Sequence, residues 1–167
     1  MSVARSGPNS ETPWLSPAET ALWTRFMRVQ KQLFAALNRQ LQADSGLSLT
    51  DWDVLVALTA DHSGSQRVSD LAHTLGWERS RLSHHATRMQ KRGLLERVEC
   101  PEDGRAAIYH LTEAGWQASR AAAPKHVQTV RQLFLDPLDP AHIASMTEAL
   151  QLIIAQLEPG TDPSPMD

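Results

Sequence analysis

From Leu22 onward, apolar residues recur at steps of three and four: Leu22, Phe26, Val29, Leu33, Leu37 and Leu41. That spacing lays one stripe along one side of a helix. Ser16-Pro17-Ala18-Glu19 precedes it. Ser16 can cap, Pro17 sits where its missing N–H costs nothing, and Glu19 completes a capping box. The helix is predicted to run to about Ala43, before Ser45-Gly46. Thr50-Asp51-Trp52-Asp53 is read as the cap and acidic first turn of a second helix, with Trp52, Leu55, Val56 and Leu58 as its apolar body. Asp61 to Gln66 is polar and contains glycine, so it is read as a linker. Ser69 is the predicted cap of a short helix bearing Leu71, Ala72 and Leu75, and Gly76 ends it in the left-handed conformation. Another helix is predicted from Glu78 to Gly93. Two helices therefore meet across a short turn at Gly76-Trp77, the helix-turn-helix pattern.

Leu94 to Glu99 and Ala106 to Leu111 read as two short strands joined by the loop from Cys100 to Arg105. Thr112 caps a long helix predicted to reach about Phe134. Pro124 is expected to kink or divide it, because it removes an amide donor and crowds the preceding turn. Asp139-Pro140 caps a last helix whose stripe is Ile143, Met146, Leu150, Ile153 and Leu157. Met1 to Pro13 is polar and shows no apolar period, and Pro159 to Asp167 is a Pro-rich tail; disorder is expected at both ends. The order is helix, helix, helix-turn-helix, hairpin, helix, helix. It predicts a mainly α fold with a small β-hairpin.

Charge changes this picture more than bulk composition does. The 167 residues are 41% apolar with a net charge of −3, enough apolar content for a core and no hint of an acidic ligand. Yet Arg79, Arg81, Arg88, Lys91, Arg92 and Arg97 cluster against Glu96 alone, so residues 79–97 carry +5 and the rest −8. A concentrated cationic segment is the kind that meets phosphates. No window approaches the ~18 apolar residues of a membrane span. The N-terminus has no apolar core of a secretory signal, so a cytoplasmic location is the simplest reading. Cys100 is the single cysteine, which leaves no intrachain disulfide and no Cys-rich zinc site. There is no Gly-rich phosphate loop, nucleophile elbow or HExxH, so neither an enzyme nor a bound cofactor is expected.

At about 100° per residue, Leu82, Ala86, Met89 and Gly93 share one side of the Glu78 to Arg92 helix, which is read as the inward side. Ser80, His84, Thr87 and Lys91 lie opposite, with Arg81 and Arg88 on one flank and Ser83 on the other. The outward set holds cations, hydroxyls and an imidazole without a carboxylate. Such groups suit a major groove, where Arg forks onto guanine O6 and N7 and Ser or His meets base edges or phosphates. The first turns of a recognition helix enter deepest. That favours Ser80, Arg81 and His84 for bases, and Arg88 and Lys91 for phosphates, with Arg79 at the helix start. The alternative is an ordinary solvated face.

A hairpin directly after a helix-turn-helix is a wing, and its loop can reach the neighbouring minor groove. That groove is narrow and strongly negative in A-tracts, which favours an inserted arginine. Arg105 is the candidate. Asp103 is placed to accept from its guanidinium and fix its direction before binding. The competing reading is a plain turn, with Asp103 bonded to its own backbone and Arg105 solvated.

The segment from Val68 to Gly115 resembles the MarR family of winged helix-turn-helix regulators. The resemblance rests on the Leu-Ala-x-x-Leu helix, the Ser-x-Leu-Ser recognition helix, Lys-Arg-Gly-Leu before the wing, Asp-Gly-Arg at its tip and Leu-Thr-x-x-Gly after it. It implies a homodimer joined through the terminal helices, with each wing arginine in a minor groove. It implies binding to a pseudo-palindromic operator in double-stranded DNA, often as a repressor released by a small aromatic effector. It also implies an effector site between the DNA-binding lobe and the dimer helices, for which Trp23, Phe26 and Trp52 are candidates unless all three are core. The corresponding organisation is a tail at 1–13, a dimerisation helix at 14–46, a winged helix-turn-helix lobe at 47–112, dimerisation helices at 113–158 and a tail at 159–167. Some relatives sense peroxide through a cysteine in the first long helix, where this chain has none. Glu99 and Glu102 flank Cys100 and would raise its pKa, against a reactive thiol. His62, His73, His84, His85, His110, His126 and His142 lack metal spacing and are read as scattered surface residues. The competing function is a winged-helix protein-interaction module without DNA contact, which the net negative charge would suit.

Overall fold

The computed structural model describes residues 14–60, 62–99 and 107–157. The first helix, α1, spans Pro17–Ser45. Its capping box is complete: the Glu19 N–H donates to Ser16 Oγ at 3.3 Å and the Ser16 N–H to Glu19 Oε2 at 2.7 Å. Gly46 ends it at φ 66°, a left-handed angle that glycine adopts without strain. The second helix, α2, spans Leu49–Thr59, and its cap is Ser48 rather than Thr50. Ser48 Oγ accepts from the Asp51 N–H while Asp51 Oδ2 accepts from the Ser48 N–H, the same reciprocal box with Asp in place of Glu.

The stretch read as a linker contains a strand, β1, at Ser65–Arg67. Three polar residues carry no alternation. This strand exists because it pairs antiparallel with residues far along the chain, with Gln66 opposite Tyr109. Helix α3 follows at Val68–Thr74 with Arg67 at its cap position and no side-chain cap bond. Ser69 lies inside the first turn instead and donates to Asp70 Oδ1. Helix α4 spans Arg79–Lys91. Strands β2, Leu95–Glu99, and β3, Ala107–Leu111, complete an antiparallel sheet of order β1-β3-β2.

Thr112 caps α5, Glu113–Val130, by accepting from the Gly115 N–H. Pro124 does not divide this helix. Pro124 is exposed, as is Arg120, whose carbonyl loses its usual donor, so water can meet that carbonyl. The irregularity comes later, in a π-helical turn at Arg131–Leu135. The last helix, α6, spans Pro140–Leu157, with Asp139 Oδ1 accepting from the His142 N–H.

The core sits in the lobe built from α2, α3, α4 and the sheet. Val54, Leu55, Leu58, Leu71, Leu82, Met89 and Tyr109 are buried there, joined by Leu41 from the end of α1 and Ala122 from α5. Lys125 of α5 pairs with Asp44 of α1 at 3.0 Å. Only Leu37 and Leu41 of the α1 stripe are buried. Leu22, Phe26 and Val29 are exposed, and α6 buries nothing in the single chain. Among the described residues no helix is long and apolar enough to cross a membrane.

Candidate nucleic-acid interface

The turn before α4 is set by Gly76 at φ 62°. It lets the Trp77 N–H donate back to the Ala72 carbonyl at 2.8 Å. Helix α4 then leaves with Leu82, Ala86 and Met89 buried. Gly93, read as inward, is exposed: it lies beyond the helix end at φ 71°. Arg79, Ser80, Arg81, Ser83, His84, Thr87, Arg88 and Lys91 are all exposed. The Thr87 hydroxyl donates to the Ser83 carbonyl, which leaves its lone pairs free to accept.

The histidines are not all surface residues: His110 and His126 are half-buried, and His85 is buried at 6% exposure. It follows Leu82 by three positions and precedes Met89 by four, so the helix carries it onto the apolar face. Asp51 on α2 makes that tolerable, with Oδ1 lying 2.9 Å from His85 Nε2, close enough for attraction but off line for a full hydrogen bond. On the other side of the ring, Arg88 Nη2 lies 2.8 Å from His85 Nδ1. A guanidinium only donates, so Nδ1 accepts and the ring proton sits on Nε2, facing Asp51.

Asp51 has a second cation. Arg92 Nη1 donates to Asp51 Oδ2 at 2.7 Å, and its Nη2 donates to the Gly46 carbonyl at 2.9 Å. One side chain thus ties the end of α4 to the start of α2 and the end of α1. Burial alone would raise the Asp51 carboxyl, but contacts from His85, the Ser48 N–H and Arg92 outweigh it and hold it well below the usual carboxylate range. Arg92 belongs to the cationic segment by sequence, yet its charge is paired internally.

Arg81 is held in a different way. Its guanidinium lies over the Trp77 ring, 4.5 Å from the centroid, and the His85 ring meets Trp77 edge-on at 5.7 Å and 84°. Arg81, His84, Arg88 and Arg92 together line one wall of a cleft of about 600 Å³, whose other wall is Gln42 of α1 with Ser48, Thr50 and Asp51 at the α2 start.

The expected effector residues are placed apart from this cleft. Trp23 and Phe26 stack on one another at 5.9 Å on the exposed half of α1. Trp52 is in the core at 9% exposure, its ring 4.8 Å from that of His126. The surface hollows lined by Met27 and Phe34, and by Leu15 and Thr24, include none of the three aromatics. Asp103, Arg105 and Cys100 lie outside the described residues. From the sequence, Asp51 is expected only as an acidic first-turn residue, Trp77 only as a turn residue, and His85 at the surface. For His85 the signal was present in its spacing from Leu82 and Met89. For Asp51 and Trp77 it was not, since their partners are distant or lie across a turn.

A helix-turn-helix backed by a three-stranded sheet, with a cationic outward helix, defines a winged helix-turn-helix protein. A profile of the MarR family matches residues 45–106. AbsC, a MarR family transcriptional regulator from Streptomyces coelicolor, is 37% identical and superposes with a TM-score of 0.82, covering 87% of this chain and 98% of AbsC. Sco3205, a MarR family transcriptional regulator from the same organism solved in complex with DNA, is 35% identical with a TM-score of 0.84, covering 91% and 95% of the two chains. The transcriptional repressor MprA of Escherichia coli (strain K12) is 29% identical over 145 residues, 85% of this chain and 82% of MprA. The chain belongs to the MarR family of transcriptional regulators.

Proposed function

We propose that this protein is a homodimeric, sequence-specific repressor that binds a pseudo-palindromic operator and is released by a small molecule. One observation carries the DNA reading. Every outward side chain of α4 is exposed, and that face presents Arg79, Ser80, Arg81, His84, Arg88 and Lys91 without a carboxylate. Relatives support it: Sco3205 has been solved with DNA, and MprA is a repressor. The lobe at 47–112 carries DNA contact in this reading, and Arg105, steadied by Asp103, enters the minor groove. The arms at 14–46 and 113–158 carry the dimer, for which the exposed apolar residues of α1 and α6 supply the surface. A small aromatic effector would find stacking faces at Trp23 and Phe26.

Selection of bound sequences from a random duplex pool tests this reading. The expected result is a palindrome with half-sites about one helical turn apart. Affinity for the recovered duplex should fall linearly on a log–log salt plot, with a slope set by the phosphates neutralised. No recovered sequence together with salt-independent binding would overturn it in favour of a protein-interaction module.

A further inference from the structure

We propose that Trp77, in the turn, is a specificity-determining positioning residue that orients Arg81 for reading a base. This rests on the DNA reading above. The arginines fixed around α4 divide by how they are held. Arg88 is held through an N–H that it gives to His85, and Arg92 through N–H groups that it gives to Asp51 and Gly46. Arg81 is held over the indole of Trp77, its Cζ 4.5 Å from the ring centroid, and among the described residues its N–H groups make no hydrogen bond or ion pair. A bidentate contact with guanine uses the guanidinium edge, which is the part left uncommitted here.

The platform beneath it is rigid. Trp77 is half-buried against the core, its backbone N–H donates to the Ala72 carbonyl, and its ring is met edge-on by His85. His85 is in turn held between Asp51 and Arg88. Arg81 lies in the first turn of α4, the part of a recognition helix that enters deepest. Asp53 of α2 is an acidic group whose field reaches Arg81, and Asp51 lines the same cleft. Stacking costs Arg81 its rotamer freedom before DNA arrives, so less is lost on binding. It also sets the plane in which the fork approaches.

The full-length protein is first carried through the duplex selection, and discrimination at each base position is then measured with competing duplexes. Trp77→Leu should lower discrimination at one position per half-site by about 3- to 10-fold, the range of a partly desolvated cation–π contact. Other positions should keep theirs. Trp77→Phe should retain most of the discrimination, because a ring face remains. In an Arg81→Ala background, Trp77→Leu should add no further loss at that position. An equal loss at all positions, or an additive loss in the Arg81→Ala background, would overturn the inference. A separate measurement needs no variant: the Arg81 δ-methylene protons should be shifted upfield by the indole ring current, and unshifted resonances would remove the stack. A wild-type protein that selects no sequence overturns the DNA reading and this inference with it. A selective wild type whose Trp77→Leu variant discriminates equally well overturns the inference alone.

Discussion

At Asp51 a single carboxylate serves three elements. It completes the α2 capping box, faces His85 of α4 and takes the charge of Arg92, which also reaches Gly46. Removing it leaves His85 with Arg88 alone, Arg92 with the Gly46 carbonyl alone, and the α2 cap with one arm of its box. Asp51→Ala should therefore cost about 1–3 kcal/mol of folding stability, read from denaturant melts. The acid dependence follows from the depressed carboxyl. In the unfolded chain it titrates near its ordinary 3.8, and in the folded protein well below that. Its contribution is complete above the ordinary value and is lost as pH falls from about 4 towards the folded pKa. Wild-type stability should drop over that window, and Asp51→Ala should flatten the drop; an unchanged acid limb would mean the network adds no charge-dependent stability. At the same scale, a substitution at Arg81 should relax one base position per half-site by ~1–3 kcal/mol if it reads guanine. A uniform loss over all sequences would make Arg81 a phosphate contact.

Elements meet most closely where α5 starts. A Cβ at Gly115 would fall far inside contact distance of the Leu94 carbonyl and 3.0 Å from Leu111 Cδ2. Neither the carbonyl, which accepts from the Thr112 N–H, nor the packed leucine can give way cheaply. Gly115→Ala should therefore lower stability by about 1–3 kcal/mol, and a thermal melt of the variant checks it. This is the physical content of the Leu-Thr-x-x-Gly run: Thr112 caps the helix and Gly115 lets it lie against the sheet. Those helices with a full capping box or a long stripe were legible from residues three and four apart. The three-residue β1 was not, because its reason to be extended is β3, more than forty positions away. Helix α5 runs through Pro124 because the one orphaned group, the Arg120 carbonyl, belongs to an exposed residue where water can meet it, a matter of orientation that sequence spacing did not carry.

Across the whole molecule, apolar surface is divided unequally. The lobe is closed over its core, while the first half of α1 and all of α6 present Leu22, Phe26, Val29, Leu150, Ile153 and Leu157 to solvent. Exposed stripes of this extent mark an association surface. Replacing Leu150 and Ile153 together with Glu should leave the lobe folded and shift sedimentation from dimer to monomer. A variant that still sediments as a dimer would relocate the interface to α1 or elsewhere. Charge is also unequal, since the cationic segment lies on α4 and the residues just after it within an acidic chain. Part of it is neutralised before DNA is involved, through Arg92 and Asp51, so the segment's formal +5 overstates what faces outward.

By itself the amino-acid order determined the helices with strong caps and stripes, the turn at Gly76, the hairpin pairing of β2 with β3 and the cationic outward face of α4. The helices, the turn and the α4 face depend on residues a few positions apart, and the hairpin on two runs that follow one another in the chain, so local geometry suffices. Only the tertiary structure decided that His85 faces Asp51, that Arg92 is an internal tie, that Ser65–Arg67 is a strand and that Arg81 rests on Trp77. Apart from the stack, those outcomes need groups more than thirty positions apart to meet, and the stack needs the turn to bring Trp77 under the helix. Chain folding brings those partners together, and periodicity along the chain carries no record of it.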